Sequence, residues 1–116
     1  YGLPPPAARW IAALVGRPHW HCLVALDGNT PVATGVVFAQ GDAAWLGIGA
    51  TLSSHRRRGA QSALLAERID VAARHGCRLL TTETGVPHAG EAGPSYANIQ
   101  RAGFRIAYLR PNLRRP

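Results

Sequence analysis

Three consecutive arginines, Arg56, Arg57 and Arg58, run directly into Gly59 and then into Ala60-Gln61-Ser62-Ala63-Leu64-Leu65, a stretch of helical composition. The first backbone N–H groups of a helix have no partner within it, and that end carries a partial positive charge. Three more cations there are repelled by roughly a few tenths of a kcal/mol for each exposed charge. The arrangement fits a turn that holds an anion, phosphate above all, against the backbone. His55, one residue ahead of the arginines, is placed to assist the anion rather than to do chemistry.

Other residues with chemical potential are scattered. His19 and His21 flank Trp20 at the start of an extended run, but no third ligand is spaced to complete a metal site with them. Cys22 and Cys77 have no CxxC partner, and both are expected to be buried free thiols in a reducing compartment.

The elements that must position the arginine turn follow from periodicity. The opening prolines are expected to form an extended linker, and Arg9 to Val15 a short helix that Gly16-Arg17-Pro18 stops. Residues 1–19 thus read as linker and short helix, and 20–116 as one domain. Trp20 to Leu26, Val32 to Ala39 and Ala43 to Ala50 read as three strands of an antiparallel meander, separated by Asp27-Gly28-Asn29 and Gln40-Gly41-Asp42. Gly47 and Gly49 mark the third strand as twisted or bulged, with peptide groups free of sheet pairing; a crowded strand crossing is the alternative.

A helix is expected from Ala60 to His75, with Leu65, Ile69 and Ala72 in one apolar stripe widened by Leu64 and Val71. Glu67, Arg68 and Arg74 fall on its wetter side. Cys77 to Thr82 supplies the next strand, parallel to its neighbour through a right-handed crossover. Val86 to Pro94 is loop, Ser95 to Ala102 a short helix, and Phe104 to Leu109 a final alternating strand. The fold class is therefore mixed α/β (α+β-like): an antiparallel meander followed by β-α-β-α-β.

The 116 residues are 47% hydrophobic, which excludes global disorder, and no apolar run reaches the 18 residues or so of a membrane span. The net charge of +7 comes entirely from arginine and suits phosphate-bearing partners, from nucleic acid to a nucleotide cofactor. Outside 56–58, a compositional bias toward arginine explains the charge equally well. The absence of methionine and the start at Tyr1-Gly2-Leu3-Pro4-Pro5-Pro6 read as a piece of a longer protein.

Arg56-Arg57-Arg58-Gly59-Ala60-Gln61 resembles the signature of the GNAT superfamily of N-acetyltransferases, which has Arg or Gln, two residues, Gly, one residue, then Gly or Ala; Gln61 departs from it. Leu46 to Leu52 resembles the family's splayed strand, and Ser95-Tyr96-Ala97-Asn98-Ile99-Gln100-Arg101-Ala102-Gly103-Phe104 its second helix and Gly-Phe strand start. The resemblance covers Trp20 to Arg110 and implies a partial, C-terminal portion of the GNAT fold, completed by upstream sequence or a partner copy. It implies acetyl-CoA as cofactor. Gly49, Ala50, Thr51 and Leu52 would anchor the thioester and pantetheine, and Arg56, Arg57, Arg58, Gly59, Ala60, Gln61 and Ser62 would cradle the pyrophosphate. Asn98 would bond the pantetheine or acetyl end. The family's tyrosine, proton donor to the departing thiol, is replaced by Ile99; Tyr96, one turn away, is the substitute.

On this reading the protein acetylates a primary amine of a small molecule by direct attack, in the cytoplasm, without a metal. Glu83, at the end of the strand after the central helix, is the first choice of base, with His88 and Glu91 in the following loop as weaker candidates. A strand-end role for Glu83, or an arginine partner, is the plain alternative. Two rival functions stand beside this one: a catalytically degenerate acyl-CoA-binding domain, and a basic nucleic-acid-binding domain. Against the latter, no aromatics interleave with the arginines as a base-stacking platform requires.

Overall fold

A computed structural model describes residues 5–85, 87, 93–113 and 115. Its helices and strands are α1 (Pro5–Ala12), β1 (Trp20–Asp27), β2 (Thr30–Gln40), β3 (Ala43–Thr51), α2 (Ala60–Arg74), β4 (Leu79–Thr82) and α3 (Pro94–Arg101), with a 3-10 turn at Ser53–His55. The strands form one sheet in the order β1-β2-β3-β4. The first three are antiparallel, joined through turns in which Gly28 and Gly41 take φ of 60° and 59°. That conformation is one glycine reaches without strain. β4 runs parallel to β3 after the α2 crossover, so the expected order of strands through β4 and the mixed α/β class hold.

One face of the sheet meets α2. Val37, Ala39, Ala44 and Leu46 pack with Leu65, Ala72 and Cys77, and Leu23, Ile69, Leu80, Ile99 and Phe104 close around them. Strand alternation accounts for the sheet's contribution: Ala44 and Leu46 face the core, and Trp45 between them faces away. On α2 the expected stripe is present, with Leu64, Leu65 and Ala72 buried.

Four expectations fail. Pro5 and Pro6 open α1 instead of forming an extended linker, because a proline's fixed φ and missing N–H suit the first turn of a helix. Phe104 to Leu109 is not a strand: Phe104 is half-buried, but Ile106, Tyr108 and Leu109 are exposed and the segment pairs with no described strand. Alternation says which side of a strand would be buried, not whether a neighbour is there to pair with it. Cys22 is exposed, since it points from edge strand β1 away from α2, while Cys77 is buried and hydrogen-bonds through its thiol to the carbonyl of Ala43 at 3.4 Å. Arg68, placed by pattern on the wetter side of α2, is buried, with a relative exposure of 6%.

Candidate functional site

The sheet opens where β3 outruns β4. Their pairing ends at Leu46 opposite Thr82, while β3 continues to Thr51. In the same stretch the register against β2 slips: Thr34 faces Ala50 and Val36 faces Gly47, so Gly35 stands opposite both Ile48 and Gly49. This is a β-bulge, as the two glycines imply. The unusual backbone falls on the residue between them, however. Ile48 has φ 52°, a conformation that costs a branched side chain about 1–3 kcal/mol and persists only where the surroundings enforce it. The glycines themselves serve close approach: a Cβ on Gly47 would stand 2.1 Å from Cη2 of Trp45, whose ring lies over the bulge.

Between the splayed strands lies a cavity of about 90 Å³. Gly47, Ile48 and Gly49 form one wall, Thr82, Glu83 and Thr84 the opposite one, Gln61, Leu65 and Arg68 the α2 side, and Ser95, Asn98 and Ile99 the α3 side. A groove of about 500 Å³ between α2 and α3, lined by Ser62, Ile69 and Arg101 among others, shares Leu65 and Asn98 with the cavity. Cavity and groove therefore adjoin, and Ser62 carries the groove toward the helix's N-terminus.

At that terminus Gly59 has φ 83°, nothing lies within 4 Å of where its Cβ would be, and no side chain caps the helix. Arg57 has φ 62°, and all three arginine side chains are exposed. His55 is not turned to a ligand position. Its Nε2 bonds Asp27 Oδ2 at 2.9 Å and its Nδ1 bonds Ser54 Oγ at 2.8 Å, while Arg58 Nη1 lies 3.7 Å from the same Asp27 oxygen. The hydrogen bond from His55, then the charge of Arg58, hold the Asp27 carboxyl below its ordinary pKa. The hairpin turn between β1 and β2 is thus tied to the arginine turn.

The candidate residues are brought together unevenly. Gly49, Gln61, Glu83 and Asn98 share the cavity, and Ser62 and Asn98 share the groove. Arg56, Arg57, Arg58, Gly59 and Ala60 gather at the end of α2, and Ala50, Thr51 and Leu52 lead from the bulge toward them. Tyr96 lines neither space; its hydroxyl accepts a bond from Gln100 Nε2 at 3.2 Å. Glu83 reaches the cavity, but its carboxylate accepts a 2.5 Å bond from Arg110 of the C-terminal segment. Asn98 Oδ1 accepts from Arg101 Nη2. His88 and Glu91 lie outside the described residues.

Sequence reasoning missed Arg68, Thr82, Thr84 and Ser95. Arg68 was hidden by an otherwise regular amphipathic pattern, and Gly35, which makes room for it, was the one available signal. Ser95 stands where the opening turn of α3 meets the cavity, beside the more conspicuous Tyr96. Among the described residues no group of three or more His, Cys, Asp or Glu side chains could hold a metal, and no helix is long and apolar enough to cross a membrane.

Residues 2–92 match the acetyltransferase (GNAT) family, and the chain belongs to it. The matched span starts ahead of the Trp20–Arg110 stretch that carries the sequence resemblance and stops short of α3. No curated protein matches the chain at the sequence level. Solved structures share the fold. The aminoglycoside acetyltransferase AAC(6')-Iy in complex with a CoA-S-monomethyl-acetylneamine bisubstrate analogue has a TM-score of 0.77 and 19% identity, over 99% of this chain and 82% of its own. A transcriptional regulator from Bacillus halodurans has a TM-score of 0.76 at 21% identity, over 97% and 77%. The aminoglycoside 6'-N-acetyltransferase AAC(6')-Ig from Acinetobacter haemolyticus has a TM-score of 0.68 at 15% identity, over 98% and 86%. That coverage does not bear out the expectation of a partial, C-terminal portion of the fold.

Proposed function

We propose that this protein transfers an acetyl group from acetyl-CoA to a primary amine of a small molecule by direct attack. The observation that carries this reading is spatial: the splayed, bulged end of β3 adjoins a groove that leads along α2 toward an uncapped, arginine-rich helix terminus. An elongated ligand with an anionic centre and a narrow uncharged arm fits that series of sites. Arg56, Arg57 and Arg58, with the backbone N–H groups of Gly59 to Ser62, would hold its pyrophosphate. Backbone groups from Gly49 to Leu52, with Asn98, would hold the arm. When bound, acetyl-CoA supplies the activated thioester.

The chain's own polar groups supply the proton traffic. Glu83, at the mouth of the cavity, accepts the proton of the acceptor amine, directly or through water, once released from Arg110. A hydroxyl from the first turn of α3 returns a proton to the departing sulfur. Tyr96 is the donor the family resemblance points to, and Ser95 the one that lines the cavity; Tyr96→Phe and Ser95→Ala, assayed side by side, separate them. Residues 20–116 carry every group in this scheme, with 1–19 leading into them. The cytoplasm is the compartment in which an exposed, unpaired Cys22 stays a thiol.

Calorimetry with CoA and turnover with a panel of amines test the reading. Gly59→Val should lower CoA affinity tenfold or more in a protein that remains folded; unchanged affinity would count against the site. Two observations favour a second reading, an acyl-CoA-binding domain without turnover: Glu83 is engaged by Arg110, and Tyr96 lies outside the cavity. CoA binding with no acetyl transfer to any amine would establish it. Turnover abolished by Glu83→Gln would exclude it.

A further inference from the structure

Gln61 stands where the family pattern has Gly or Ala, and its side chain turns away from the helix terminus into the bulge. Its Nε2, with two protons to donate, lies 3.0 Å from Ala50 O, 3.2 Å from Thr34 O and 3.0 Å from Thr51 Oγ1. Two of these acceptors are backbone carbonyls, which only accept, so the amide nitrogen must face the bulge. Seven residues along the same face of α2, Arg68 donates from Nη1 to Gly47 O at 3.2 Å and from Nε to Leu64 O at 3.3 Å. It is the one buried charged side chain among the described residues.

The sheet is cut to admit both side chains. A Cβ on Gly35 would stand 2.7 Å from Arg68 Nε, and one on Gly49 would stand 2.9 Å from Gln61 Oε1. The two captured carbonyls of β3, of Gly47 and Ala50, bracket Ile48 and Gly49, the pair of residues that oppose Gly35. In a trans peptide the N–H points opposite to the C=O. Holding the Gly47 carbonyl toward Arg68 therefore aims the Ile48 N–H away from it, at the residue whose φ is positive.

From this geometry we infer that Gln61 and Arg68 are positioning residues: they clamp the Gly47–Ala50 bulge from beneath and orient its backbone groups for the acyl end of the donor. The inference rests on the acetyl-transfer reading and adds to it which side chains preorganise the β3 wall. A clamp of this kind governs the rate of transfer, while the cofactor's grip depends on the arginine turn at the other end.

The test uses the full chain and has two arms. Amide hydrogen exchange by NMR, without cofactor, reads the bulge directly: in Gln61→Ala the amides of Ile48 and Gly49 should exchange at least tenfold faster than in the wild type. Steady-state turnover and calorimetry with CoA read the consequence: kcat should fall at least tenfold while the CoA dissociation constant stays within threefold. Gln61→Glu, which removes the donor and keeps the shape, should behave like Gln61→Ala. Arg68→Met leaves a buried site half-filled and risks unfolding, so Arg68→Lys, which keeps the charge and one donor, is the second variant and should fall between wild type and Gln61→Ala. Wild-type exchange at the bulge, an unchanged kcat, or a loss of affinity as large as the loss of rate would each overturn the inference. A wild type without turnover would refute the acetyl-transfer reading, and the exchange arm alone would then decide the clamp.

Discussion

The Gly47–Ala50 bulge and the Arg56–Gly59 turn lie at two ends of one proposed ligand path, and they are built in opposite ways. The bulge is surrounded: Trp45 covers it on one face of the sheet, and Gln61 and Arg68 hold its carbonyls on the other. The turn is open: its arginines are exposed, nothing lies within 4 Å of where a Cβ on Gly59 would be, and Asp27 ties it to the β1–β2 hairpin through His55 and Arg58. Strain at Ile48 survives because the packing around it over-determines the backbone. Charge at the turn is tolerated because water screens it. A wall that must place a reacting carbonyl to within fractions of an ångström needs the first design; a cradle for a flexible, highly charged group is served by the second.

The sharpest way to break this contrast is to add one methyl group to each end. Gly47→Ala should destabilise the fold by about 3 kcal/mol, because the Trp45 ring has to leave its place. Gly59→Ala should cost only about 1–2 kcal/mol, from its left-handed backbone and not from any clash. Urea denaturation of both variants measures the difference, and equal losses would refute it.

Affinity should then divide the arginines among themselves. Arg56→Ala and Arg57→Ala are expected to weaken CoA binding about three- to tenfold, an effect that shrinks as salt is raised. Arg58→Ala should weaken it less, since Asp27 already shares that guanidinium. Calorimetry at two ionic strengths checks the order. At the cavity mouth, Arg110→Ala frees Glu83 from an exposed ion pair of the kind that is worth about 1 kcal/mol or less. The KM of a cationic amine should fall by no more than about fivefold, with CoA affinity unchanged, and a rise in KM would show that Arg110 assists the acceptor.

The smallest expected effect is on pH. His21, whose ring lies tilted against that of His75 with centroids 4.4 Å apart, has its pKa lowered below its ordinary 6.5 by burial, then by the charges of His75 and His19. The unfolded chain thus binds a proton that the folded one resists, so stability should decline as pH falls from 6.5 through the lower folded value. Asp27, whose pKa is lowered below its ordinary 3.8, adds stability above that value that is lost as pH falls through the folded one. Thermal melts of His21→Gln should show a flatter decline in the first window and leave the second unchanged.

Much of this molecule was legible in its amino-acid order. The meander turned at Asp27-Gly28 and Gly41 because glycine marks positive φ, α2 (Ala60–Arg74) lies between Gly59 and Gly76, and Gly47 with Gly49 announced an irregular strand. These are local properties: each depends on what one residue's backbone can adopt or on a period of two or about 3.6. What the sequence could not reveal depends on which side chains meet across elements. The final strand expected at Phe104 was refused because pairing needs a neighbour, and Tyr96 missed the cavity that Ser95 reaches because one step around a helix is about 100°.

By itself, then, the sequence determined that a glycine-marked strand delivers the chain into an arginine turn and a helix, since turn chemistry and periodicity are written residue by residue. Only the tertiary structure decided that Gln61 and Arg68 turn inward to hold the bulge, and that Glu83 meets Arg110 at the cavity mouth. A polar side chain on a helix face is read as solvated until a partner element is in place. Here the partner is a strand whose glycines leave room for it.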